Sequence, residues 1–372
     1  MLPGMGQTVP PARAELGRVL VTGGSGFVGA NLVTTLLDRG HTVRSFDRAP
    51  SPLGDHAGLE VVEGDICNPD TVATAVRDVD TIIHTAAIID LMGGASVTEE
   101  YRQRSFAVNV EGTKNLVHAA QQAGVKRFVY TASNSVVMGG QDIVSGDETL
   151  PYTTRFNDLY TETKVVAEKF VLAANGDHGM LTCAIRPSGI WGQGDQTMFR
   201  KVFENVLAGH VKVLVGNKNI KLDNSYVHNL IHGFILAAQH LVPGGTAPGQ
   251  AYFINDDDPV NMFEFSRPVL AACGRTLPTF RVSGRLVHKA MTAWQWLHFR
   301  FGIPEPLIEP LAVERIYLNN YFSVAKARRD LGYEPLYTTQ QAMDECLPYY
   351  VEMFRRMESG VKTQPHADIS AT

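Results

Sequence analysis

A tyrosine and a lysine stand four residues apart in the segment NDLYTETKVVAEKF, where apolar residues recur at helical spacing and Asn157 or Asp158 is a candidate N-cap. Tyr160 and Lys164 would therefore share one face of a helix, although such a pair also arises by chance on solvated helix surfaces. A phenol has a pKa of about 10 and is weakly ionised near neutral pH, and a nearby ammonium favours the phenolate. The pair predicts a general base that removes the proton of an alcohol, if a hydride acceptor binds beside it.

A glycine-rich segment, VLVTGGSGFVGANL, is a candidate binding site for such a hydride acceptor. Its glycines follow the G-x-G-x-x-G spacing, between an apolar run and a helical pattern. They allow a tight turn and a close approach of the backbone, so that a pyrophosphate can bind the N–H groups at the helix start. A glycine-rich turn without a ligand is the alternative. The predicted dinucleotide contacts of this segment are Gly23, Gly24, Gly26, Phe27, Val28 and Gly29.

Two aspartates follow the next apolar runs. Asp47 lies close to the offset of roughly 20 residues at which an acidic residue meets the adenine ribose. A carboxylate there accepts hydrogen bonds from a 2′-hydroxyl and repels a 2′-phosphate, which predicts NAD rather than NADP, although Arg48 could receive a phosphate. Asp65 could bind the adenine amino group, or it could equally be a helix N-cap.

Short apolar runs alternate with helical patterns along the chain. The elements that they predict must position the candidate catalytic and dinucleotide-binding residues. This alternation predicts an α/β fold of the Rossmann type, with a doubly wound parallel sheet and a smaller C-terminal substrate-binding region. Ligands of such sheets bind beyond the carboxyl ends of the strands, so a substrate-positioning hydroxyl is expected at the end of FVYTASNSVV. The predicted divisions are a flexible segment (1–16), an NAD-binding domain (17–187), a mainly substrate-binding region partly interleaved with the sheet (188–358) and a flexible tail (359–372).

Composition narrows the class of protein. The 372 residues carry a formal net charge of −5, with no basic footprint for nucleic acid. The four cysteines are far apart and have no metal-ligand spacing, which predicts a reduced, metal-free interior. No apolar run reaches the roughly 18 residues of a spanning helix, and the N-terminus has no signal-peptide pattern. A cytoplasmic protein is expected, with peripheral membrane contact left open.

Five motifs together resemble the extended short-chain dehydrogenase/reductase superfamily: TGGSGFVG, HTAA, TAS, YTETK and RPSGIWG, in this order over most of residues 18–195. The resemblance implies that Tyr160 is the general base, that Lys164 lowers the pKa of Tyr160 and holds the nicotinamide ribose, and that Ser133 orients the substrate oxygen. Ser135 is a nearby competitor for that last role. The resemblance also implies a homodimer that forms through two helices of the Rossmann half.

Three further residues match positions of that superfamily. Ala86 lies in the HTAA motif and Pro187 in the Arg-Pro turn, and both are expected beside the dinucleotide. Asn109, in FAVNVEGTKNL, matches the asparagine of the corresponding helix, where a structural role is the alternative.

Within the superfamily, the chain resembles the 3β-hydroxysteroid dehydrogenase/Δ5-Δ4 isomerases, most of all the bacterial cholesterol-oxidising members. The stretches DETLPYT, LYTETK, RPSGIWGQGDQTMF, NSYVHNLIHG and AYFINDDDP carry the resemblance, which runs from Gly17 to Met357. It implies oxidation of a sterol 3β-hydroxyl, followed by migration of the double bond. Asp256 and Asp257 match an aspartate pair considered for the isomerase base, but three aspartates before Pro259 are also typical of a turn. The alternatives are a decarboxylating sterol-4α-carboxylate 3-dehydrogenase and a non-catalytic NAD(H) sensor.

Aromatic residues in the later half suit an apolar polycyclic ligand. The predicted substrate contacts are Trp191, Phe199, Tyr226, Trp294, Trp296 and Phe299. The last three lie in LVHKAMTAWQWLHFRFGIPEPLIEPL, which charge and proline interrupt too often for a spanning helix. Its mixture of aromatic and basic residues instead predicts an interfacial helix that lines the sterol entrance and touches lipid. For all six residues, burial in the core is the alternative.

Overall fold

In the computed structural model, the described residues are 13–89, 98–156, 158–306 and 308–360. Their strands are β1 (Val19–Thr22), β2 (Val43–Asp47), β3 (Leu59–Glu63), β4 (Thr81–His84), β5 (Arg127–Thr131), β6 (Ile143–Gly146), β7 (Leu181–Pro187), β8 (Gly189–Trp191), β9 (Leu214–Val215), β10 (Asn224–Tyr226), β11 (Ala251–Ile254), β12 (Arg281–Val282) and β13 (Asn320–Phe322).

Their α-helices are α1 (Phe27–Asp38), α2 (Pro69–Ala75), α3 (Glu99–Phe106), α4 (Thr113–Ala123), α5 (Leu159–Ala173), α6 (Met198–Leu207), α7 (Val227–His240), α8 (Met262–Ala272), α9 (Gly284–Phe301), α10 (Pro310–Tyr317), α11 (Ala325–Leu331) and α12 (Thr339–Glu358). A π-helical turn (Ala107–Gly112) joins α3 to α4.

Seven strands form the main sheet, in the spatial order β3-β2-β1-β4-β5-β7-β11, and all their pairings are parallel. The chain builds outward from β1 to β3 on one side and from β4 to β11 on the other. Strand order therefore reverses between β1 and β4, the position at which open α/β sheets bind ligands. The predicted Rossmann-type sheet is confirmed.

Apolar helix faces cover both sides of the sheet. On one side, Leu32 and Val33 of α1 pack with Leu230 and Phe234 of α7 in a large buried cluster. On the other side, residues of α2, α4 and α5 form a second buried cluster, with Leu116 of α4 among them. Burial on both sides explains why the central strands read as continuous apolar runs, with no exposed residue in β1, β4 or β5.

Three short parallel pairs lie outside the main sheet: β8 with β10 and β9 with β12 in the later half of the chain, and β6 of the earlier half with β13. The later half also contributes β11, which pairs with β7 and completes the main sheet. Residues far apart in sequence thereby meet above the carboxyl ends of the strands.

Helix α9 lies on the outside of this region and packs chiefly against α10. Of its residues, all of which the structure describes, only Gly284 is buried. A Cβ atom on Gly284 would lie 2.2 Å from Cβ of Tyr317, so glycine permits the close packing of α9 on α10. No helix of the described ranges combines the length and the apolar character that crossing a bilayer needs.

Candidate active site

The glycine-rich turn after β1 forms a cradle in which side chains do not fit. Gly23 has a φ of 70°, and a Cβ atom there would lie 2.8 Å from the backbone of Ala86. A Cβ atom on Gly24 would lie 2.1 Å from Ser45 Oγ, and one on Gly29 would lie 2.0 Å from the carbonyl oxygen of Gly23. These approaches are closer than real Cβ contacts, so the fold of the turn requires glycine.

This cradle fits a pyrophosphate. Gly26 is the N-cap of α1, and among the described residues no side chain caps this helix start, which Phe27 and Val28 begin. The first N–H groups and the positive end of the helix dipole therefore face the crevice at the switch point. Ala86 lies against the turn from the end of β4.

Asp47 lies at the carboxyl end of β2, next to the cradle. Its carboxylate accepts hydrogen bonds from the N–H groups of Ser25 and Ala49, each at 3.0 Å. The Ser25 hydroxyl in turn donates to the carbonyl of Ala49 at 3.0 Å. These contacts hold the carboxylate at the position predicted for the adenine ribose.

Asp65 lies after β3 and forms a turn rather than a helix cap. It accepts a hydrogen bond from the Cys67 N–H at 2.8 Å, and its other oxygen lies 3.5 Å from Nε of Arg48. The N-cap of α2 is Asn68, so the N-cap interpretation of Asp65 is wrong. Contact of Asp65 with adenine stays a prediction, and the ion pair occupies Arg48, the residue considered for a 2′-phosphate.

The predicted catalytic helix is α5. Asp158 is its N-cap and accepts a hydrogen bond from the Thr161 N–H at 2.6 Å, whereas Asn157, the other candidate, lies outside the described residues. Because Tyr160 and Lys164 are separated by one helical turn, both point toward the end of β5. The Lys164 ammonium lies 5.6 Å from the centre of the Tyr160 ring.

Lys164 is nearly fully buried, with 2% of its surface exposed. Its ammonium donates to the carbonyl of Thr131 at 2.7 Å and lies 4.9 Å from the centre of the Tyr130 ring. Burial lowers the pKa of Lys164 to about 7, and the nearby Glu168 carboxylate opposes that shift. An ammonium has three donors, so this anchor leaves others for a ribose hydroxyl.

Ser133 meets Tyr160 at the end of β5. Burial raises the pKa of the Tyr160 phenol well above its usual value, while a hydrogen bond with the Ser133 side chain opposes that rise. Ser133 Oγ also accepts from the Ser135 N–H at 3.1 Å. The Ser135 hydroxyl is buried and has no hydrogen-bond partner among the described residues. The geometry therefore favours Ser133 over Ser135 as the third member of the group.

Asn109 braces the helix beneath the site. It lies in the π-helical turn, and its side-chain amide exchanges two hydrogen bonds with the backbone of Ile88, at 2.8 and 2.9 Å. The same amide donates to Thr163 Oγ1 on α5 at 3.1 Å. These contacts support the structural alternative, because Asn109 ties the loop after β4 to the catalytic helix. A single sequence offers no signal for the π-helical turn itself.

Sequence reasoning missed a buried ion pair one turn beyond Lys164. Glu168 of α5 has no exposed surface, and Arg186 of β7 binds it through Nε and Nη2, at 3.0 and 2.6 Å to Oε1. The Tyr152 hydroxyl donates to the same carboxylate at 2.9 Å. The pair fastens α5 to the strand that ends at the buried Pro187. The sequence feature that could have revealed this ion pair is an arginine in a mostly apolar strand.

His84, in the HTAA motif, was also missed. It is buried at the end of β4, where its ring hydrogen-bonds the hydroxyls of Thr22 and Thr113, at 2.6 and 2.9 Å. Burial lowers its pKa to about 3, so the ring is neutral and links β1 to α4.

The two aspartates considered for isomerisation lie in different environments. Asp256 is buried, and it accepts hydrogen bonds from Trp191 Nε1 at 2.9 Å and from the Tyr226 N–H at 2.8 Å. Burial raises its pKa to about 6. Asp257 is partly exposed and forms an ion pair with Arg328 at 2.8 Å. Because both carboxylates already have partners, a role in isomerisation stays a prediction for each.

The predicted turn at these aspartates is built by another residue. Asn255 Oδ1 accepts a hydrogen bond from the Asp257 N–H at 2.8 Å, and Asp257 has a φ of 53°. The turn interpretation is therefore right in kind, although the side chain that forms it is the asparagine before the aspartates.

The aromatic residues divide into two groups. Trp191, Phe199 and Tyr226 are at most 1% exposed and pack in the core, which was the alternative to pocket lining. Their burial leaves almost no surface for a substrate contact. Trp296 and Phe299 are 60% and 58% exposed, so the core alternative is wrong for them. Trp294 is partly buried, and its Nε1 donates to the carbonyl of Pro304 at 2.9 Å.

A narrow cleft adjoins the catalytic group, between the start of α5 and helix α10. It extends from the buried hydroxyl of Ser135 to the charged side chains that α10 presents. The polar and charged residues of its lining are Ser135, Gln141, Asp158, Thr161, Glu314, Arg315 and Asn320.

Comparisons with known proteins agree with this geometry. The family model described as the 3-beta hydroxysteroid dehydrogenase/isomerase family matches residues 20–282. A 3-beta-hydroxysteroid dehydrogenase of Mycolicibacterium neoaurum is 83% identical over 348 residues, which cover 94% of this chain and 95% of that protein. A 3 beta-hydroxysteroid dehydrogenase/Delta 5→4-isomerase of Mycobacterium tuberculosis is 76% identical over 353 residues, 95% of each chain.

Among solved structures, the UDP-glucuronic acid 4-epimerase of Bacillus cereus in complex with NAD has a TM-score of 0.69 and 17% identity. The match covers 91% of this chain and 99% of that one, and it shows the shared fold. With the family model spanning most of the sheet and two relatives matching nearly end to end, the chain belongs to the 3-beta hydroxysteroid dehydrogenase/isomerase family.

Proposed function

We propose that this chain oxidises the 3β-hydroxyl of a cholesterol-like 5-ene sterol with NAD and moves the double bond, so that the product is a 4-en-3-one. The observation that carries the proposal is the assembly of Tyr160, Ser133 and Lys164 beside a dinucleotide cradle. The names of the two mycobacterial relatives support the substrate class.

The chain's own groups divide the oxidation between them. A bound nicotinamide supplies the two-electron acceptor. Tyr160 takes the proton of the 3-hydroxyl as the carbon–oxygen bond becomes a carbonyl, and Ser133 orients that oxygen. Lys164 holds the nicotinamide ribose, and its positive charge favours the phenolate of Tyr160. The cradle at Gly24 and the start of α1 hold the pyrophosphate.

Sterol turnover tests this function directly. Purified protein is incubated with NAD and either a 4-desmethyl 5-ene sterol or a 4-carboxysterol, while NADH and conjugated-enone absorbance are recorded. We expect both signals with the desmethyl sterol. NADH formation with release of carbon dioxide from the carboxysterol alone would favour the decarboxylating alternative. Cofactor binding with no oxidation of either sterol would favour the sensor.

We predict that Asp47→Ala weakens NAD binding by roughly tenfold, because a charge-assisted hydrogen bond to a ribose hydroxyl is worth about 1.5 kcal/mol or more. The preference for NAD over NADP should narrow, since the repulsion of a 2′-phosphate is lost as well. Calorimetric titration with each dinucleotide measures both effects.

Asp47→Asn is the milder variant, because it removes the charge but keeps one side-chain oxygen. The N–H groups of Ser25 and Ala49 bind different oxygens of the carboxylate, so one of these two hydrogen bonds is kept. It should narrow the NAD preference with less damage to the loop. A wild-type protein that already prefers NADP would overturn the role given to Asp47.

The exposed face of α9 supports peripheral membrane contact. Leu286, Trp296, Phe299 and Phe301 are each at least 58% exposed, which is unusual for side chains of this size. Basic residues flank them on the same helix. Aromatic and basic side chains on one amphipathic helix suit the interface between lipid headgroups and acyl chains. Since a sterol partitions into membranes, contact there would place the substrate entrance beside its source.

Changing Trp296 and Phe299 together to Ser should therefore reduce cosedimentation with liposomes that contain anionic lipid, and it should slow turnover of sterol presented in those liposomes. NAD affinity and melting temperature should hold, because both side chains are largely exposed.

The matched control changes Val61 and Leu336 to Ser, two exposed apolar residues elsewhere on the surface, and should leave liposome binding intact. A large fall in melting temperature of the α9 variant, without loss of liposome binding, would contradict membrane contact.

We also propose the homodimer that the superfamily resemblance implies, formed through two helices of the Rossmann half. Light scattering on the purified protein tests it: a mass twice that of the 40.7 kDa chain supports the dimer, and a monomeric mass contradicts it.

A further inference from the structure

A buried carboxylate lies two residues before the proton acceptor. The Asp158 side chain is 1% exposed, and one of its oxygens caps the Thr161 N–H at 2.6 Å. The negative charge of this carboxylate, which water hardly reaches, acts on Tyr160 and disfavours the phenolate that oxidation needs. The helix cap thus works against the general base unless another group offsets its charge.

The offsetting charge comes from α10, 157 residues along the chain. Nη2 of Arg315 lies 2.6 Å from the second oxygen of Asp158. The neighbouring Glu314 has ionic partners of its own: its carboxylate lies 3.3 Å from Nη2 of Arg155 and 3.5 Å from Nε2 of His288. Of the two charged side chains, Arg315 therefore faces the start of α5, whereas Glu314 faces Arg155 and His288.

We propose that Arg315 is a positioning residue for sterol oxidation: by neutralising Asp158 it keeps Tyr160 able to accept the substrate proton. The inference rests on the proposed function of Tyr160 as general base. The same role would explain the lining of the cleft beside α5. Asp158 and Arg315 both line this cleft, and together they determine the charge that acts on the Tyr160 phenol.

The groups around Tyr160 show why Arg315 matters. Glu162 of α5 is turned toward Arg102 of α3, with which it forms two hydrogen bonds at 3.0 and 3.1 Å. The titratable or charged groups that face the phenol are Asp158 and Lys164 of α5, Tyr130 of β5 and Arg315 of α10. Burial and the Asp158 carboxylate both raise the pKa of the Tyr160 phenol, whereas the Ser133 hydroxyl and Arg315 both lower it.

The test is the pH profile of kcat/KM for NADH formation with Arg315→Gln. Without the cation, the apparent pKa of the rising limb should increase by about one unit, a loss of roughly tenfold at neutral pH that is recovered at alkaline pH. Arg315→Lys should restore the wild-type profile, because it returns the charge. A purely structural loss would lower the rate equally at all pH values.

Three further variants complete the test. Asp158→Asn keeps the cap oxygen and removes the anion, so its profile should shift toward acid, and adding it to Arg315→Gln should bring the profile back near wild type. Arg155→Gln is the matched control: it breaks the neighbouring ion pair of α10 without touching Asp158, and its profile should not move.

A second measurement keeps the inference independent of turnover. The tyrosinate ultraviolet absorbance is titrated with and without Arg315→Gln, and from each titration the one of the same protein that also carries Tyr160→Phe is subtracted. An unshifted profile and titration in Arg315→Gln would overturn the role of Arg315 alone. Absence of sterol oxidation by the wild-type protein, with the titration still shifted, would instead overturn the proposed function.

Discussion

Tyr160→Phe should slow sterol oxidation by roughly a hundred- to ten-thousand-fold, the range that a positioned general base contributes. The change removes the oxygen that takes the substrate proton and leaves the ring in place. The affinity for NAD should stay nearly unchanged, because the change does not touch the proposed pyrophosphate cradle at Gly24 or the proposed ribose contact at Asp47. Stopped-flow NADH formation and calorimetric NAD titration check the two parts.

Matched variants separate chemistry from packing. Ser133→Ala should also slow oxidation, since Ser133 hydrogen-bonds the phenol, whereas Ser135→Ala should have little effect. Tyr321→Phe, on β13, controls for loss of a phenol elsewhere. Wild-type turnover by the Tyr160→Phe variant would rule out the mechanism.

Arg186→Met should lower the free energy of unfolding by about 3–5 kcal/mol, the effect of removing one partner of a buried ion pair. Glu168 has no exposed surface, so its carboxylate would lose its counter-charge in a site that water cannot solvate. The Tyr152 hydroxyl would still donate to the carboxylate, and the Lys164 ammonium would act on it from a greater distance. Urea unfolding of the wild-type and variant proteins measures the difference.

Two controls bracket this loss. Arg186→Met combined with Glu168→Gln should recover much of the stability, because the double variant no longer buries an uncompensated charge. Arg328→Met breaks two exposed ion pairs, with Asp257 and with Glu334, and it should cost at most about 2 kcal/mol because exposed pairs contribute little. Equal losses for Arg186→Met and Arg328→Met would show that burial of the pair contributes little.

Features that arise within short stretches of chain could be predicted from the sequence. The glycine cradle, the i and i+4 spacing of Tyr160 and Lys164, and an N-cap at Asn157 or Asp158 depend on backbone geometry over a few residues. The doubly wound parallel sheet could also be predicted, because strands that alternate with helices favour parallel pairing. Only the family resemblance favoured Ser133 over Ser135, since the choice depends on where the chain turns after β5.

Contacts between distant segments could not be predicted. Nothing local marks Arg315 as the partner of Asp158, because the two meet only after the later half has folded over the sheet. Trp191 and Trp296 illustrate the same limit, since both are aromatic residues among apolar neighbours. One is buried and the other is exposed, and that difference is decided by which elements pack against each.

Strand β11 is synthesised late, and this order affects how the protein folds during synthesis. During synthesis, Ser133, Tyr160 and Lys164 all leave the ribosome before the strand that pairs with β7. Until then, β7 presents a row of unsatisfied N–H and C=O groups beside a face that α7 has not yet covered. A chain truncated at Pro187 would hold every group of the proposed catalytic centre and yet expose an aggregation-prone edge. We therefore expect a chain that ends at Pro187 to aggregate rather than to fold as a stable miniature enzyme, and the yield of the whole chain in cells to depend on how quickly the remaining residues are synthesised.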